Sequence, residues 1–131
     1  MFALGADFAK KLGKPCVIGL VGQLGAGKTH WVQGFVHGLG SAAQVTSPTF
    51  GLIHSYPDGK WTVHHFDFYR LDSANELLEI GWDDYLDDAQ AVTIAEWADR
   101  FPEMMPADCW WLEIQHLATG GRRVISNREQ A

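Results

Sequence analysis

Cysteine, positive charge and long apolar runs are all scarce in this chain, and each shortage excludes a class of protein. Its two cysteines, Cys16 and Cys109, have no metal-ligand spacing and sit in apolar runs. They read as reduced core thiols of a cytoplasmic protein rather than as a disulfide framework. Ten Lys and Arg against sixteen Asp and Glu leave a net charge of −6. That argues against broad electrostatic capture of nucleic acid, although a local basic patch around Arg122 and Arg123 is compatible with it. No stretch approaches the ~20 apolar residues that cross a bilayer. Asp7, Lys10 and Lys11 interrupt the N-terminal apolar pattern, which is therefore no signal peptide, and no membrane association is expected. None of the six histidines forms an H-x-x-x-H pair, and the adjacent His64 and His65 point to opposite faces of a strand, so zinc is not expected. Internal repeats and low-complexity segments are absent from the sequence.

What is present is ordinary globular composition, 47% hydrophobic and 20% charged, in 131 residues. One domain over residues 1–131 is expected, with a frayed tail from Asn127 to Ala131. Leu4, Phe8 and Leu12 recur at helical spacing from about Phe2, ended by Gly13 and Pro15. Cys16–Val21 is apolar on both faces, as a covered central strand is. Trp31, Phe35 and Leu39 mark the buried face of a second helix closed by Gly38 and Gly40. Phe50–Tyr56 and Trp61–Asp67 flank the turn Pro57-Asp58-Gly59-Lys60 and read as an antiparallel hairpin. Ser73-Ala74-Asn75-Glu76 has the pattern of a capping box, with Gly81 as the stop, and Trp82 to Asp88 allows one or two helical turns. Ala91–Ala95 is a buried strand ending at Glu96, and Trp110–Leu117 with Arg122–Ser126 makes a last hairpin. The sum is an α/β fold, a three-layer sandwich around a sheet partly parallel and partly antiparallel. Its ligand should lie beyond the carboxyl ends of the parallel strands.

The most informative stretch is Gly22-Gln23-Leu24-Gly25-Ala26-Gly27-Lys28-Thr29, which matches G-x-x-x-x-G-K-[ST] between a strand and a helix. Glycines there permit backbone angles and close approaches that a Cβ obstructs. Inward N–H groups and the helix start make an anion nest. Lys28 reaches toward β- and γ-phosphates and the Thr29 hydroxyl toward Mg²⁺, so a nucleoside tri- or diphosphate is the expected ligand. Asp67 and Glu96 each stand where an apolar strand runs out, and either suits the acid that completes the metal site. Thr49, in Ser47-Pro48-Thr49, is either part of a segment that senses the γ-phosphate or a residue of a Pro-initiated turn. Trp97 either stacks on a base or is a half-buried core residue.

Gly22–Thr29, Ser47-Pro48-Thr49-Phe50, His65-Phe66-Asp67-Phe68-Tyr69-Arg70-Leu71, Glu79-Ile80-Gly81 and Glu96-Trp97 occur in one order. In this combination the chain resembles the TsaE (YjeE) family, the ATPase subunit of bacterial tRNA N6-threonylcarbamoyladenosine synthesis, from about Leu4 to Arg123. The phosphate loop is common to many families; the H-F-D-x-Y-R-L string with the later E-W pair is specific. The resemblance implies ATP and ADP binding with Mg²⁺ and slow hydrolysis by the subunit alone. It implies action with TsaD and TsaB, so that tRNA is reached through the complex and ATP turnover resets it between rounds. By motif match, Thr29 and Glu96 are the magnesium ligands, and Lys28, Asp67 and Thr49 serve hydrolysis. By the same match, in a fold of P-loop NTPase type, residues 23–30 (Gln23, Leu24, Gly25, Ala26, Gly27, Lys28, Thr29 and His30) and Trp97 are expected to contact the nucleotide.

Three departures accompany the resemblance. Gln23 stands where the family has Asp, and His30 where it has a second Thr. Phosphate binding through backbone N–H groups survives both changes, but the bulkier His30 alters a side-chain contact at the α-phosphate. The family's opening strand and polar turn are also not seen ahead of the first helix, so an edge strand and part of the base pocket are expected to be missing. Two other functions stay open on the residues alone. A small-molecule or nucleoside kinase would need an arginine-bearing lid, for which only Arg100 to Pro106 offers a thin candidate. A non-catalytic module would use nucleotide merely to fix its shape. No N-K-x-D string occurs, which disfavours a guanine-specific switch.

Overall fold

The computed structural model describes residues 1–23, 25, 27–48, 53–128 and 130. Six strands form one sheet: β1 (Val17–Val21), β2 (Ile53–Tyr56), β3 (Thr62–Asp67), β4 (Ala91–Glu96), β5 (Trp110–His116) and β6 (Arg122–Ser126). Their spatial order is β2-β3-β4-β1-β5-β6. The inner four are parallel and the two edges are antiparallel, each joined to its neighbour as a hairpin. Both hairpins read from the turn residues are therefore present. Residues 50–52, assigned to the start of the first hairpin, lie outside the described residues.

Register places the functional end. Leu20 of β1 pairs with Glu96 of β4, and Glu96 pairs with Asp67 of β3, so the two acids stand side by side at the carboxyl ends of their strands. β1 leaves through α2 (Lys28–Gly38), packed on one face of the sheet. β4 leaves through short 3₁₀ turns at Ala98–Arg100 and Pro102–Met104 on the other face. The chain thus departs to opposite sides from adjacent strands, which opens the crevice where open α/β sheets bind ligands.

Helices cover both faces, making three layers. Ile18, Leu20, Val63, Val92, Ile94 and Leu112 meet Trp31, Phe35 and Leu39 of α2 on one side. Phe66 and Ala95 meet Leu77 of α3 (Ala74–Glu79) and Trp82 of α4 (Trp82–Leu86) on the other. The α2 face read from aromatic spacing is buried as expected.

The first helix, α1 (Phe2–Lys11), is turned from the expected orientation. Gly5, Ala6 and Ala9 are its buried residues, whereas Leu4 is 45% exposed. Phe8 is half-buried, with its ring edge-on to Trp31 and Trp110, and Leu12 is buried as expected. Contact with α2 is the reason. A Cβ on Gly34 would run into the Phe2 carbonyl, 2.6 Å from its carbon and 2.8 Å from Phe2 Cα. One on Gly38 would lie 2.7 Å from the Ala6 oxygen. Backbones this close leave room only for the small residues of α1, so its large ones sit to the side.

One smaller expectation also changes. Ser73 precedes α3 but makes no capping hydrogen bond; Glu76 instead accepts from the Asp72 N–H at 3.2 Å, one residue earlier than a capping box requires. Within the tail expected to fray, Asn127 Oδ1 accepts from Trp111 N–H at 3.1 Å and Asn127 N–H donates to the Trp111 carbonyl at 3.1 Å. Among the described residues no helix is long and apolar enough to cross a membrane.

Candidate functional site

The loop after β1 turns on two left-handed glycines, Gly25 at φ 78° and Gly27 at φ 106°, angles that other L-residues rarely adopt. Gly27 caps α2, its carbonyl accepting from Trp31 N–H at 2.9 Å. The first N–H groups of α2 therefore point out of the helix toward the crevice, where an anion would complete them. Lys28 is only 5% exposed. Its ammonium donates to the carbonyls of Gly22 at 2.7 Å and Gln23 at 2.9 Å, and lies 4.1 Å from the centre of the Trp97 ring. Burial pushes the Lys28 ammonium below its usual pKa, with Glu96 and Asp67 pulling it back. Cation–π contact and the two carbonyls hold the charge in the place of water.

Trp97 has φ 58°, the one positive value at a non-glycine among the described residues. Such strain costs about 1–3 kcal/mol and persists where the surroundings demand it. Here it turns the chain sharply after Glu96 and lays the indole over Lys28, with the Tyr69 ring 4.8 Å away.

Opposite the loop, Val63, His65 and Asp67 share the α2 side of β3, and Val92, Ile94 and Glu96 share that side of β4, by strand alternation. The Thr29 hydroxyl, in the first turn of α2, contacts both Glu96 carboxylate oxygens, at 3.1 and 3.0 Å. His65 Nε2 lies 2.5 Å from Glu96 Oε2. Asp67 accepts from Tyr69 N–H at 2.9 Å and from the Ser47 hydroxyl at 3.3 Å. Burial pushes the Asp67 carboxyl above its usual range; the Tyr69 N–H opposes this, and the neighbouring Glu96 adds to it. Thr29, Ser47, Asp67, Tyr69 and Glu96 line a cleft of about 340 Å³ between the loop and the strand ends.

The residues nominated from the sequence converge here. Gly25, Gly27, Lys28, Thr29, His30, Asp67, Glu96 and Trp97 all line the cleft, with His30 exposed at its rim. Gln23 contributes its carbonyl to Lys28. Leu24, Ala26 and Thr49 lie outside the described residues. His65, Tyr69 and Arg70, which the sequence marks only as members of the H-F-D-x-Y-R-L string, also belong here: His65 grips Glu96, and Tyr69 and Arg70 line the cleft. Two-residue spacing from Asp67 was the available signal for His65, because it puts both on one face. Among the described residues no group of three or more His, Cys, Asp or Glu could cage a metal. Thr29 and Glu96 supply a hydroxyl and a carboxylate, the hard oxygen donors that Mg²⁺ accepts when phosphate and water complete its shell.

A family model described as Threonylcarbamoyl adenosine biosynthesis protein TsaE matches residues 1–125. The tRNA threonylcarbamoyladenosine biosynthesis protein TsaE of Bacillus subtilis is 37% identical over 108 residues, covering 82% of this chain and 66% of that protein. Its namesake in Synechocystis is 39% identical over 103 residues, covering 76% and 65%. The one in Treponema pallidum is 34% identical over 120 residues, covering 92% and 87%. The matched region thus spans a little under two thirds of the length of the first two relatives. The crystal structure of Bacillus subtilis YdiB superposes with a TM-score of 0.72 at 30% identity, covering 95% of this chain and 76% of that one. A family model spanning nearly the whole chain, and relatives at 34–39% identity, make this protein a member of the TsaE family.

Proposed function

We propose that the chain binds ATP with Mg²⁺ in the cleft between Gly25 and Trp97 and hydrolyses it slowly, as the ATPase subunit of tRNA threonylcarbamoyladenosine synthesis. One observation carries the reading: Thr29 at the start of α2 meets Glu96 at the end of β4, beside a left-handed glycine loop and a buried lysine. In this reading the loop N–H groups and Lys28 bind the phosphates, and Thr29 and Glu96 hold the metal. A Mg²⁺ ion held by these two side chains would supply positive charge against the phosphates. Asp67, a carboxylate of raised proton affinity, orients the attacking water and is suited to receive its proton. Thr49 belongs to the segment that responds to the nucleotide. Trp97 and Tyr69 screen the phosphate-binding lysine from solvent and border the base.

Family membership supports a place beside TsaD and TsaB in the cytoplasm, with tRNA met through them and ATP turnover resetting the assembly. The acidic balance of the chain agrees, since it offers no broad basic surface. The test is phosphate release from ATP by the purified chain, alone and with TsaB, TsaD and tRNA. Stimulation by the partners, lost in Asp67→Ala with nucleotide binding retained, is the expected result. An equal rate with and without partners would count against the role in the complex. A kinase would instead transfer phosphate to an added acceptor.

A further inference from the structure

We propose that His65 is a positioning residue that fixes the Glu96 carboxylate in the orientation needed to hold magnesium. The inference rests on the reading of the cleft as a metal–nucleotide site. His65 is fully buried on β3, one strand in from the sheet edge, and it meets the site at one atom. Its Nε2 lies 2.5 Å from Glu96 Oε2, while Nδ1 is the one buried side-chain nitrogen or oxygen without a hydrogen-bond partner among the described residues. A buried ring with one nitrogen unsatisfied calls for an explanation, and the contact its other nitrogen makes with Glu96 supplies one. With the proton on Nε2, that nitrogen donates to the carboxylate and Nδ1 keeps only a lone pair.

Register explains why His65 serves this acid and not Asp67. β3 and β4 are parallel, with His65 opposite Ile94 and Asp67 opposite Glu96. The imidazole leans diagonally along the strand direction to reach Glu96, two residues beyond its own partner. Thr29 approaches the same carboxylate from α2. Glu96 is therefore held from the neighbouring strand and from the helix, and only the His65 contact is independent of the phosphate loop. Ligating carboxylates are commonly oriented in this way by outer hydrogen-bond donors.

The test measures the affinity of a nonhydrolysable ATP analogue by calorimetry, in saturating Mg²⁺ and in EDTA, for wild type, His65→Leu and His65→Gln. Leucine fills the buried volume without a donor, and the glutamine amide can place a nitrogen close to Nε2. The expected result is a metal-dependent gain in wild type that falls about tenfold or more in His65→Leu and stays within about threefold in His65→Gln. Affinity in EDTA should match in all three. Should His65→Leu fail to fold, His65→Asn, whose shorter amide falls near Nδ1, takes its place and should lose the gain. An unchanged gain in His65→Leu, or equal loss in the donor and non-donor variants, overturns the inference. A wild type without metal-dependent binding would instead sink the reading of the cleft itself.

Discussion

Replacing Gly34 with alanine tests the packing of α1 on α2, the helix that leaves the glycine turn beside the cleft. In an open helix the change would stabilise by about 0.8–1 kcal/mol, because glycine is the poorer helix former. Here the new Cβ would collide with the Phe2 carbonyl and lie 2.8 Å from Phe2 Cα. Backbone, not a flexible side chain, must therefore move. Overpacking of this kind costs about 1–3 kcal/mol, and a backbone obstacle belongs at the upper end. Subtracting the propensity gain leaves a loss of roughly 1–2 kcal/mol, which lowers the melting temperature of a chain this size by about 4–10 °C. Thermal unfolding followed by circular dichroism reads it. Gly13→Ala is the control: a Cβ there meets nothing within 4 Å, so that variant should be neutral or slightly stabilised. A Gly34→Ala protein as stable as wild type would refute the close crossing of α1 on α2.

Lys28→Ala should abolish turnover and weaken ATP binding about 10- to 150-fold, the value of one charge-assisted phosphate contact of about 1.5–3 kcal/mol, measured by calorimetry and phosphate release. Because burial raises the Asp67 pKa in the folded state, ionising this group costs more in the folded chain than in the unfolded one, and stability falls as pH rises from the unfolded value through the raised one. Asp67→Asn should therefore melt higher than wild type at pH 7, with the difference shrinking as pH falls toward 3.8, the ordinary carboxylate value; a pH-independent difference would contradict this. Burial pushes the Cys16 thiol up to about 12 and raises that of Cys109. Both should resist iodoacetamide at pH 8 in the native protein and react after unfolding, and equal labelling in the two states would contradict the burial.

The glycine turn between β1 and α2 was legible because its motif fixes residue types at fixed spacing, and the central strands because their apolar runs are short and sharply bounded. The end of β4 at Glu96 and of β3 at Asp67 could be read in the same way. What escaped were features decided by partners distant in sequence. The buried stripe of α1 consists of Gly5, Ala6 and Ala9, which carry little hydrophobic signal, and only the glycines of α2 make that stripe the contact face. Insertion of β4 between β1 and β3 leaves no local mark, although it sets Glu96 beside Thr29. His65 in a strand looks like any core histidine until the neighbouring strand supplies Glu96. The left-handed turn at Trp97 contradicts its own residue type and follows from the site around it.

At the centre of the account is the claim that Thr29 and Glu96 form the metal-binding half of a nucleotide site. Its most direct measurement is the binding of ATP to the wild type, Thr29→Ala and Glu96→Gln proteins, titrated with and without Mg²⁺. The account requires that Mg²⁺ strengthen binding to the wild type and that each substitution remove most of that gain while binding without metal persists. Binding that Mg²⁺ leaves unaltered in the wild type, or a gain that survives in both variants, would contradict it.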